Sequence, residues 1–200
     1  NDVLRVVLAE DHYLLREGTR RLLEDTGKVH VVASCGSAAE LVAEVERTRP
    51  DGVVTDIRMP PNQHREGIDA AHEIRRCHEG IGVVVLSQYA NSLYAQALFA
   101  NGTAGLAYLL KDRVADVDEV LRALRAVVAG DTVIDPRVVE VLVARGSQPD
   151  DSPLIVASMC SFVTIGFPSP VQRPVPRRAS PTLRPPGADR LTGSRGAQDR

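Results

Sequence analysis

The sequence lacks the features that mark several large classes of protein. Its 200 residues include only three cysteines, Cys35, Cys77 and Cys160, and no C-x-x-C pair. We therefore expect free thiols in a reducing cytoplasm, with neither a disulfide framework nor a zinc site. No apolar run reaches the roughly 18 residues that a membrane-spanning helix needs, and no signal peptide is evident, so we predict no membrane span.

Charge of one sign and nucleotide-binding motifs are also scarce. The 24 basic and 26 acidic side chains leave a net charge of −2, without the basic excess of many nucleic-acid-binding proteins. Only two of the basic residues are lysines, Lys28 and Lys111. There is no G-x-G-x-x-G after the first apolar run and no G-x-x-x-x-G-K, which excludes the dinucleotide-binding and P-loop motifs.

A histidine metal site is an alternative that the spacing does not favour. His64, His72 and His78 are close in sequence, but only His72 and His78 share a predicted helix. Their i,i+6 separation places the two side chains on different faces of that helix, where they do not bind one ion together.

Proline and charge divide the chain near residue 147. Nine of the 13 prolines follow Gly146, together with seven arginines and four acidic residues, so the last segment carries a charge of +3. Residues 1–146 hold 17 basic and 22 acidic side chains, a balance of −5. We predict a domain over residues 1–130, a linker helix within 131–146, and a Pro/Arg-rich tail over 147–200 that is mostly disordered.

Short apolar runs alternate with amphipathic stretches over the predicted domain. This order predicts an α/β fold, a doubly wound, five-stranded parallel sheet with helices on both faces. After the last stretch, Asp135 and Pro136 have the residue types of an N-cap and a first helical position, which predicts a short helix up to residue 145. The five apolar runs span residues 3–9, 29–34, 52–56, 82–87 and 105–110, and the last three amphipathic stretches span roughly 66–79, 91–100 and 114–129.

Polar side chains stand where the predicted strands end. Glu10 and Asp11 follow the first strand, and Asp56 ends the third. Ser87 ends the fourth strand and Lys111 follows the fifth. Because open α/β sheets bind ligands outside the carboxyl ends of their strands, we expect these side chains to converge. Three carboxylates so placed repel one another; Mg²⁺ relieves that repulsion, and a lysine offers a positive charge for a phosphoryl oxygen.

The order and type of these residues resemble the receiver domain of bacterial two-component response regulators, a CheY-like fold. The resemblance covers about residues 3–130. The segments DIRMPP, LSQY and YLLKD look most like receivers of the NarL/FixJ (LuxR-type) transcription regulators, here with a lengthened loop at 61–66. The positions that the family uses are filled by Glu10, Asp11, Asp56, Ser87, Tyr108 and Lys111.

Taken singly, each of these residues also fits a structural role. Asp11 has the position of a helix cap, Asp56 that of an ordinary strand-end carboxylate, and Tyr108 that of a core residue. The agreement of five separate strand ends in order and residue type favours the receiver interpretation over these single readings.

The resemblance implies a phosphoacceptor chemistry. Asp56 accepts a phosphoryl group from the phosphohistidine of a sensor histidine kinase, or from a small donor such as acetyl phosphate. Mg²⁺ is held by Asp11, Asp56 and the backbone carbonyl of Arg58. Glu10 orders the waters of the ion, and Lys111 neutralises charge on the transferring oxygens. The domain is a signalling module rather than an enzyme, since it catalyses only its own phosphorylation and slow dephosphorylation.

The resemblance also implies a conformational switch. The Ser87 hydroxyl moves to the phosphoryl group, Tyr108 turns inward, and the surface formed by the fourth helix, fifth strand and fifth helix changes. The output of the family is control of transcription, with a possible homodimer on phosphorylation. Arg58 and Tyr89 border the expected phosphoryl position, and we expect them to affect the lifetime of the phosphoryl group.

The helix-turn-helix that follows such receivers is not recognisable after Leu154. Three explanations remain open: an out-of-frame translation, a genuine weakly basic disordered extension, or a degenerate DNA-binding element. The seven arginines of the tail provide phosphate contacts without sequence specificity, so we do not expect specific DNA binding by this chain.

Two other functions remain as alternatives. The first is a functional DNA-binding transcription regulator that uses the degenerate C-terminal region. The second is a phosphatase like the haloacid dehalogenases, which also use a strand-end aspartate as nucleophile. Against the phosphatase, Arg58 stands two residues after Asp56, where that chemistry needs a second aspartate as general acid.

Overall fold

The structure is a computed structural model that describes residues 3–146. The predictions that fall on the tail, including its disorder and the free thiol of Cys160, lie outside the described residues. None of the helices within residues 3–146 combines the length and apolar character needed to cross a membrane.

Six parallel strands form one sheet in the described part of the chain, in the order β2-β1-β3-β4-β5-β6. The predicted doubly wound α/β fold is confirmed, with all five expected strands. The sequence pattern does not reveal β6, because a two-residue strand at the sheet edge is too short to show a period. The strands are β1 (Leu4–Ala9), β2 (Val29–Cys35), β3 (Gly52–Asp56), β4 (Gly82–Ser87), β5 (Leu106–Leu110) and β6 (Val133–Ile134).

The helices follow the strands in the expected alternation. The predicted fifth amphipathic stretch differs most from its helix, because residues 111–115 form a separate 3₁₀ turn before α5 begins. That turn is closed by the backbone N–H of Asp116, which donates to the carbonyl of Arg113. The helices are α1 (Tyr13–Asp25), α2 (Ala38–Thr48), α3 (Glu66–Cys77), α4 (Ser92–Phe99), α5 (Val117–Val128) and α6 (Pro136–Gly146).

Helices cover both faces of the sheet, as the near-continuous apolar strands require. On one face, α1 and α5 pack residues such as Leu23, Leu121 and Leu124 onto β1, β3, β4 and β5. On the other face, α2, α3 and α4 pack against alternate residues of the same strands. Every residue of β3, β4 and β5 is therefore buried.

The helix α6 packs on the α4 side of the sheet. Val138 and Leu142 are buried in the same apolar cluster as Leu98 of α4. Asp135 caps α6 as predicted, because its carboxylate accepts the backbone N–H of Arg137 at 3.0 Å. The last turn is held by Arg145, which donates to the hydroxyl of Ser92 at 2.9 Å.

Ion pairs join the start of α6 to the 3₁₀ turn that follows β5. The buried carboxylate of Asp135 accepts a hydrogen bond from Nε of Arg113 at 2.8 Å, and Arg137 pairs with Asp112. Since the turn begins at Lys111, the residues next to this strand-end lysine are tied to α6.

Candidate functional site

Three carboxylates meet at the carboxyl ends of β1 and β3. One oxygen from each of Glu10, Asp11 and Asp56 lies within 4.8 Å of the others, the one such group of potential metal ligands within residues 3–146. The strand order reverses between β1 and β3, so the crossovers leave in opposite directions and open a crevice there. The hard oxygen donors of this cluster fit Mg²⁺ in both chemistry and spacing.

Lys111 binds two of the three carboxylates at once. Its Nζ donates to Oε2 of Glu10 at 2.7 Å and to Oδ2 of Asp56 at 2.8 Å. Burial alone would lower the pKa of Lys111, but the hydrogen bonds that Lys111 donates to Asp56 and Glu10, together with the attraction of the two carboxylates, outweigh burial and raise that pKa. For Glu10, burial outweighs the attraction of Lys111 and raises the pKa of the carboxyl. The lysine is therefore held in its charged form between two acids.

The carboxylate of Asp56 is fixed from two sides and borders an open space. Its Oδ1 accepts the backbone N–H of Ile57 at 2.7 Å, while Oδ2 accepts from Lys111. The side chain is only 10% exposed. A cavity of about 130 Å³ lies beside it, lined by residues 56–58 and 87–89, together with Asn91 and Tyr94. A group added to the carboxylate would extend into this cavity.

The start of α3 lies directly against the backbone of Asp56. The N–H of Gly67 donates to the carbonyl of Ile57 at 2.9 Å. A Cβ at Gly67 would lie 1.8 Å from the carbonyl oxygen of Asp56. This distance is too short for any side chain to be accommodated. Glycine is thus required at position 67, a role that the sequence shows only as a glycine at the start of a predicted helix.

Ser87 and Tyr108 share a partner, the backbone carbonyl of Tyr89. The Ser87 hydroxyl donates to that carbonyl at 2.8 Å, and the Tyr108 hydroxyl donates to it at 3.3 Å. The Tyr108 side chain is fully buried, and burial raises the pKa of its phenol. The two residues expected to form a switch are therefore joined through the loop after β4, and the described conformation has Tyr108 turned inward.

Arg58 and Tyr89 lie where the sequence suggests, next to the cavity beside Asp56. The Arg58 side chain donates to the Gln88 amide at 3.1 Å and is exposed. The Tyr89 side chain is 66% exposed. Arg58 stands two residues after Asp56, where a phosphatase like the haloacid dehalogenases would need a second aspartate.

The lengthened loop brings a further residue to the acidic cluster. The side-chain amide of Gln63 donates to Oδ2 of Asp11 at 2.9 Å. The carboxylate of Glu66 shapes this loop by accepting the backbone N–H groups of Asn62 and His64. The sequence shows that the loop is lengthened but does not single out Gln63, because no period or strand end marks its position.

The three histidines considered as a metal set do not meet. His72 contacts the carbonyl of Leu98 through Nε2 at 2.9 Å, while His78 contacts Glu46 at 2.8 Å. His64 is exposed in the loop before α3. Within residues 3–146, these histidines form no common site.

The cysteines of the described region are free thiols, as expected. Cys77 is exposed at the end of α3, whereas Cys35 is buried at the end of β2. Burial raises the pKa of the Cys35 thiol to about 12.

Known proteins are similar to this chain in sequence and in structure. A family model described as the response regulator receiver domain matches residues 6–125. Response regulator GacA from Pseudomonas protegens is 32% identical over 152 residues, which are 76% of this chain and 68% of that protein. Over the first five curated relatives, the chain spans 56% to 68% of the relative's length. The match therefore does not extend to the whole of those proteins.

Two solved structures are similar over most of the described part. A signal receiver domain from Mycobacterium tuberculosis has a TM-score of 0.54 and 29% identity, and the match covers 62% of this chain and 98% of that chain. A LuxR-family response regulator from Aurantimonas sp. SI85-9A1 has a TM-score of 0.61 and 28% identity, with 72% of this chain and 99% of that chain covered.

Proposed function

This chain belongs to the family of response regulator receiver domains, the signalling domains of two-component systems, and on that premise we propose that Asp56 is its phosphoacceptor. The observation that carries the proposal is the position of the Asp56 carboxylate. Lys111 holds its Oδ2 at 2.8 Å, and the open cavity next to it reaches to Ser87. Among the three clustered acids, Asp56 is the one that lines this cavity.

The proposed step is an in-line phosphoryl transfer. A carboxylate oxygen of Asp56 bonds to phosphorus, and the bond from phosphorus to the donor nitrogen or oxygen breaks, with its electron pair leaving on the donor. The product is an acyl phosphate, which water can later hydrolyse. Lys111 supplies a fixed positive charge to the phosphoryl oxygens, so the contribution of the domain is positioning and electrostatic stabilisation. In this sense the domain acts only on itself.

We assign the metal site to the same crevice. Asp11, Asp56 and the backbone carbonyl of Arg58 would hold Mg²⁺, and Glu10 would order its waters. The ion, when bound, supplies positive charge to the transferring oxygens. Glu10 also has a second part in this assignment, because it shares Lys111 with Asp56 and so keeps the ammonium at the site.

We assign the conformational response to Ser87 and Tyr108. In the described conformation the Ser87 hydroxyl is bonded to the Tyr89 carbonyl rather than to Asp56. A phosphoryl group on Asp56 would offer this hydroxyl a charged acceptor, which forms a stronger hydrogen bond than a neutral carbonyl. Transfer of the bond would release the loop after β4 that leads into α4, and so bias the α4 surface.

The proposed donor is a sensor histidine kinase, and α1 offers a surface for it. Leu14 is 73% exposed and Tyr13 is 64% exposed, only two or three residues from Asp11. Leu15 and Leu22, further along α1, are also exposed, so this helix, which begins next to the acidic cluster, carries apolar side chains that a partner could cover. The free thiols of Cys35 and Cys77 support a reducing compartment such as the cytoplasm for this exchange.

The proposed output is control of transcription, the role of the family that the chain resembles. Direct DNA binding would have to come from residues outside 3–146, and we propose that this chain does not bind DNA specifically. A salt-dependent gel shift of the full chain against a 1–146 truncation tests that proposal. A sequence-dependent shift lost on truncation would favour the alternative of a degenerate DNA-binding region.

The phosphoacceptor assignment is tested with acetyl phosphate and Mg²⁺. The wild-type chain is expected to gain one phosphoryl group by intact mass, and Asp56→Asn is expected to gain none. Asp118→Asn, an exposed acid on α5, is the matched control and is expected to behave as wild type. A phosphoryl group still gained by Asp56→Asn would show that another residue is the acceptor.

A further inference from the structure

The loop between β3 and α3 holds Gln63 in a backbone conformation that glutamine rarely adopts. Its φ of 59° lies in the left-handed region. Such a conformation persists only where the surroundings determine it, and here they do so on both sides. The N–H of Gln63 donates to the Met59 carbonyl at 3.1 Å. The N–H groups of the residues before and after it donate to the carboxylate of Glu66.

The carboxylate of Glu66 is used to hold this loop, because it accepts two of the loop's backbone N–H groups. Burial opposes ionisation of its carboxyl, but the surrounding backbone N–H donors together hold the pKa of Glu66 below its ordinary value. The carboxylate is therefore charged near neutral pH and anchors the turn from the first residue of α3. The conformation of the loop is thus set by contacts among residues 59–66.

The result of this shape is one contact at the acidic cluster. The Gln63 amide donates to Oδ2 of Asp11 at 2.9 Å. Within residues 3–146, it is the only hydrogen-bond donor to the Asp11 carboxylate, since Lys111 binds the other two acids of the cluster. Both partners are exposed, so water competes for the contact, and a fixed loop backbone lowers the entropy lost in forming it.

We propose that Gln63 is a positioning residue that orients the Asp11 carboxylate for Mg²⁺, an inference that rests on the proposed metal site. An amide is suited to this part because it is neutral. It fixes one oxygen of Asp11 and leaves the other for the ion, without removing the negative charge that attracts the ion. A lysine in its place would neutralise that charge. Partners of this kind outside the ligand shell typically change metal affinity by about 10–100-fold.

The test is Mg²⁺ binding to the full, unphosphorylated chain, measured by calorimetry. Gln63→Gly removes the amide while keeping a residue that adopts the left-handed conformation freely. It is expected to raise the Mg²⁺ dissociation constant about 10-fold, the lower end of the usual range for such partners. Gln63→Asn, whose amide is one methylene shorter, is expected to weaken binding in the same direction. The matched control is Asn62→Ala, because Asn62 serves the loop through its backbone N–H.

A second measurement separates positioning from damage to the fold. Half-maximal phosphorylation by acetyl phosphate should need about 10-fold more Mg²⁺ in Gln63→Gly, with the plateau unchanged at saturating Mg²⁺. Wild-type Mg²⁺ affinity in both Gln63 variants would overturn the inference and leave the proposed function standing. A lowered plateau would also overturn it, by showing a structural role. Absence of Mg²⁺ binding by the wild-type chain would overturn the metal site and this inference together.

Discussion

The Cα of Gly67 lies so close to the backbone of Asp56 that a methyl group added there would be 1.8 Å from the Asp56 carbonyl oxygen. The same Cβ would be 2.9 Å from the carbonyl carbon of Asp56 and 3.1 Å from the Cα of Ile57, so every atom that obstructs it is a backbone atom. Backbone atoms cannot rotate away as side-chain ends can. The first turn of α3 and the end of β3 are therefore packed too closely for any side chain at position 67.

Replacing Gly67 should displace Asp56, the proposed phosphoacceptor, without removing any charged group. In Gly67→Ala, α3 or the Asp56 backbone must shift by more than 1 Å to restore a normal contact, since real Cβ atoms stay at least about 3 Å from such atoms. A misplacement of that size typically costs about 100-fold in rate. The measurement is the rate of phosphorylation by acetyl phosphate at saturating Mg²⁺.

Gly18 of α1 provides the control for this prediction. A Cβ at Gly18 meets nothing within 4 Å, so Gly18→Ala should keep the wild-type rate and gain a few tenths to about 1 kcal/mol of helix stability. Equal rates for both alanine variants would contradict a positional role for Gly67.

Of the two lysines in the chain, Lys28 and Lys111, only Lys111 should affect the phosphorylation rate. Lys111→Ala removes the charge that Asp56 and Glu10 share, and the phosphorylation rate should fall by about 10²–10³, the usual effect of losing one transition-state donor. Lys28→Ala removes an exposed lysine at the start of β2 and should leave the rate unchanged. A rate for Lys111→Ala within threefold of wild type would contradict the assigned role.

Loss of the Asp135 carboxylate should lower the free energy of unfolding more than loss of the exposed Asp112 carboxylate nearby. Asp135→Ala leaves Arg113 without its buried acceptor and removes the cap of α6. Breaking a fully buried pair typically costs about 3–5 kcal/mol; because Arg113 is 30% exposed and keeps Glu119 as a partner, we expect a loss towards the lower end of that range. Asp112→Ala removes only the exposed partner of Arg137 and should change the free energy of unfolding little. Urea unfolding of both variants measures the difference, and similar losses in the two would show that the burial of Asp135 is not what matters.

The two cysteines of the described region should differ in reactivity. The pKa of about 12 leaves about 10⁻⁴ of Cys35 as thiolate at pH 8, whereas Cys77 is exposed. In a Cys160→Ser background, a disulfide reagent such as Ellman's should titrate one thiol quickly and the second only after unfolding. Two fast thiols in the folded chain would contradict the burial of Cys35.

The raised pKa of Cys35 also sets a pH dependence. The unfolded thiol ionises near pH 9, and the folded thiol near pH 12. The stability that this group contributes is therefore complete below pH 9 and is lost as the pH rises from 9 towards 12. A Cys35→Ala variant should lose stability less steeply over that range, which unfolding curves at pH 8 and 10 would show.

The strand ends were the part of the site that the sequence could predict. Parallel topology brings residues at the ends of β1, β3 and β5 together whatever the loops do, so Glu10, Asp56 and Lys111 could be placed from the apolar runs alone. The pattern could not show that Glu10 is buried and Asp11 exposed, because that depends on the exact direction in which the chain leaves β1.

The contacts that the sequence could not predict all involve backbone atoms or loops. The Tyr89 carbonyl that joins Ser87 to Tyr108 belongs to no motif, since every residue has a carbonyl. The approach of Gly67 to Asp56 depends on the angle between α3 and the sheet. Gln63 reaches Asp11 because the loop of residues 57–65 turns back towards the end of β1, and loops have no sequence period that would predict this.

The extent of α6 has a consequence for grafting this receiver onto another output module. The family model matches only up to residue 125, yet the apolar core continues through Ile134, Val138 and Leu142. A fusion joined after residue 130 would uncover the surfaces of β5 and α4 that these residues bury. A chimera should therefore keep the natural sequence through Arg145, whose contact with Ser92 closes the last turn, rather than stop where the family model does.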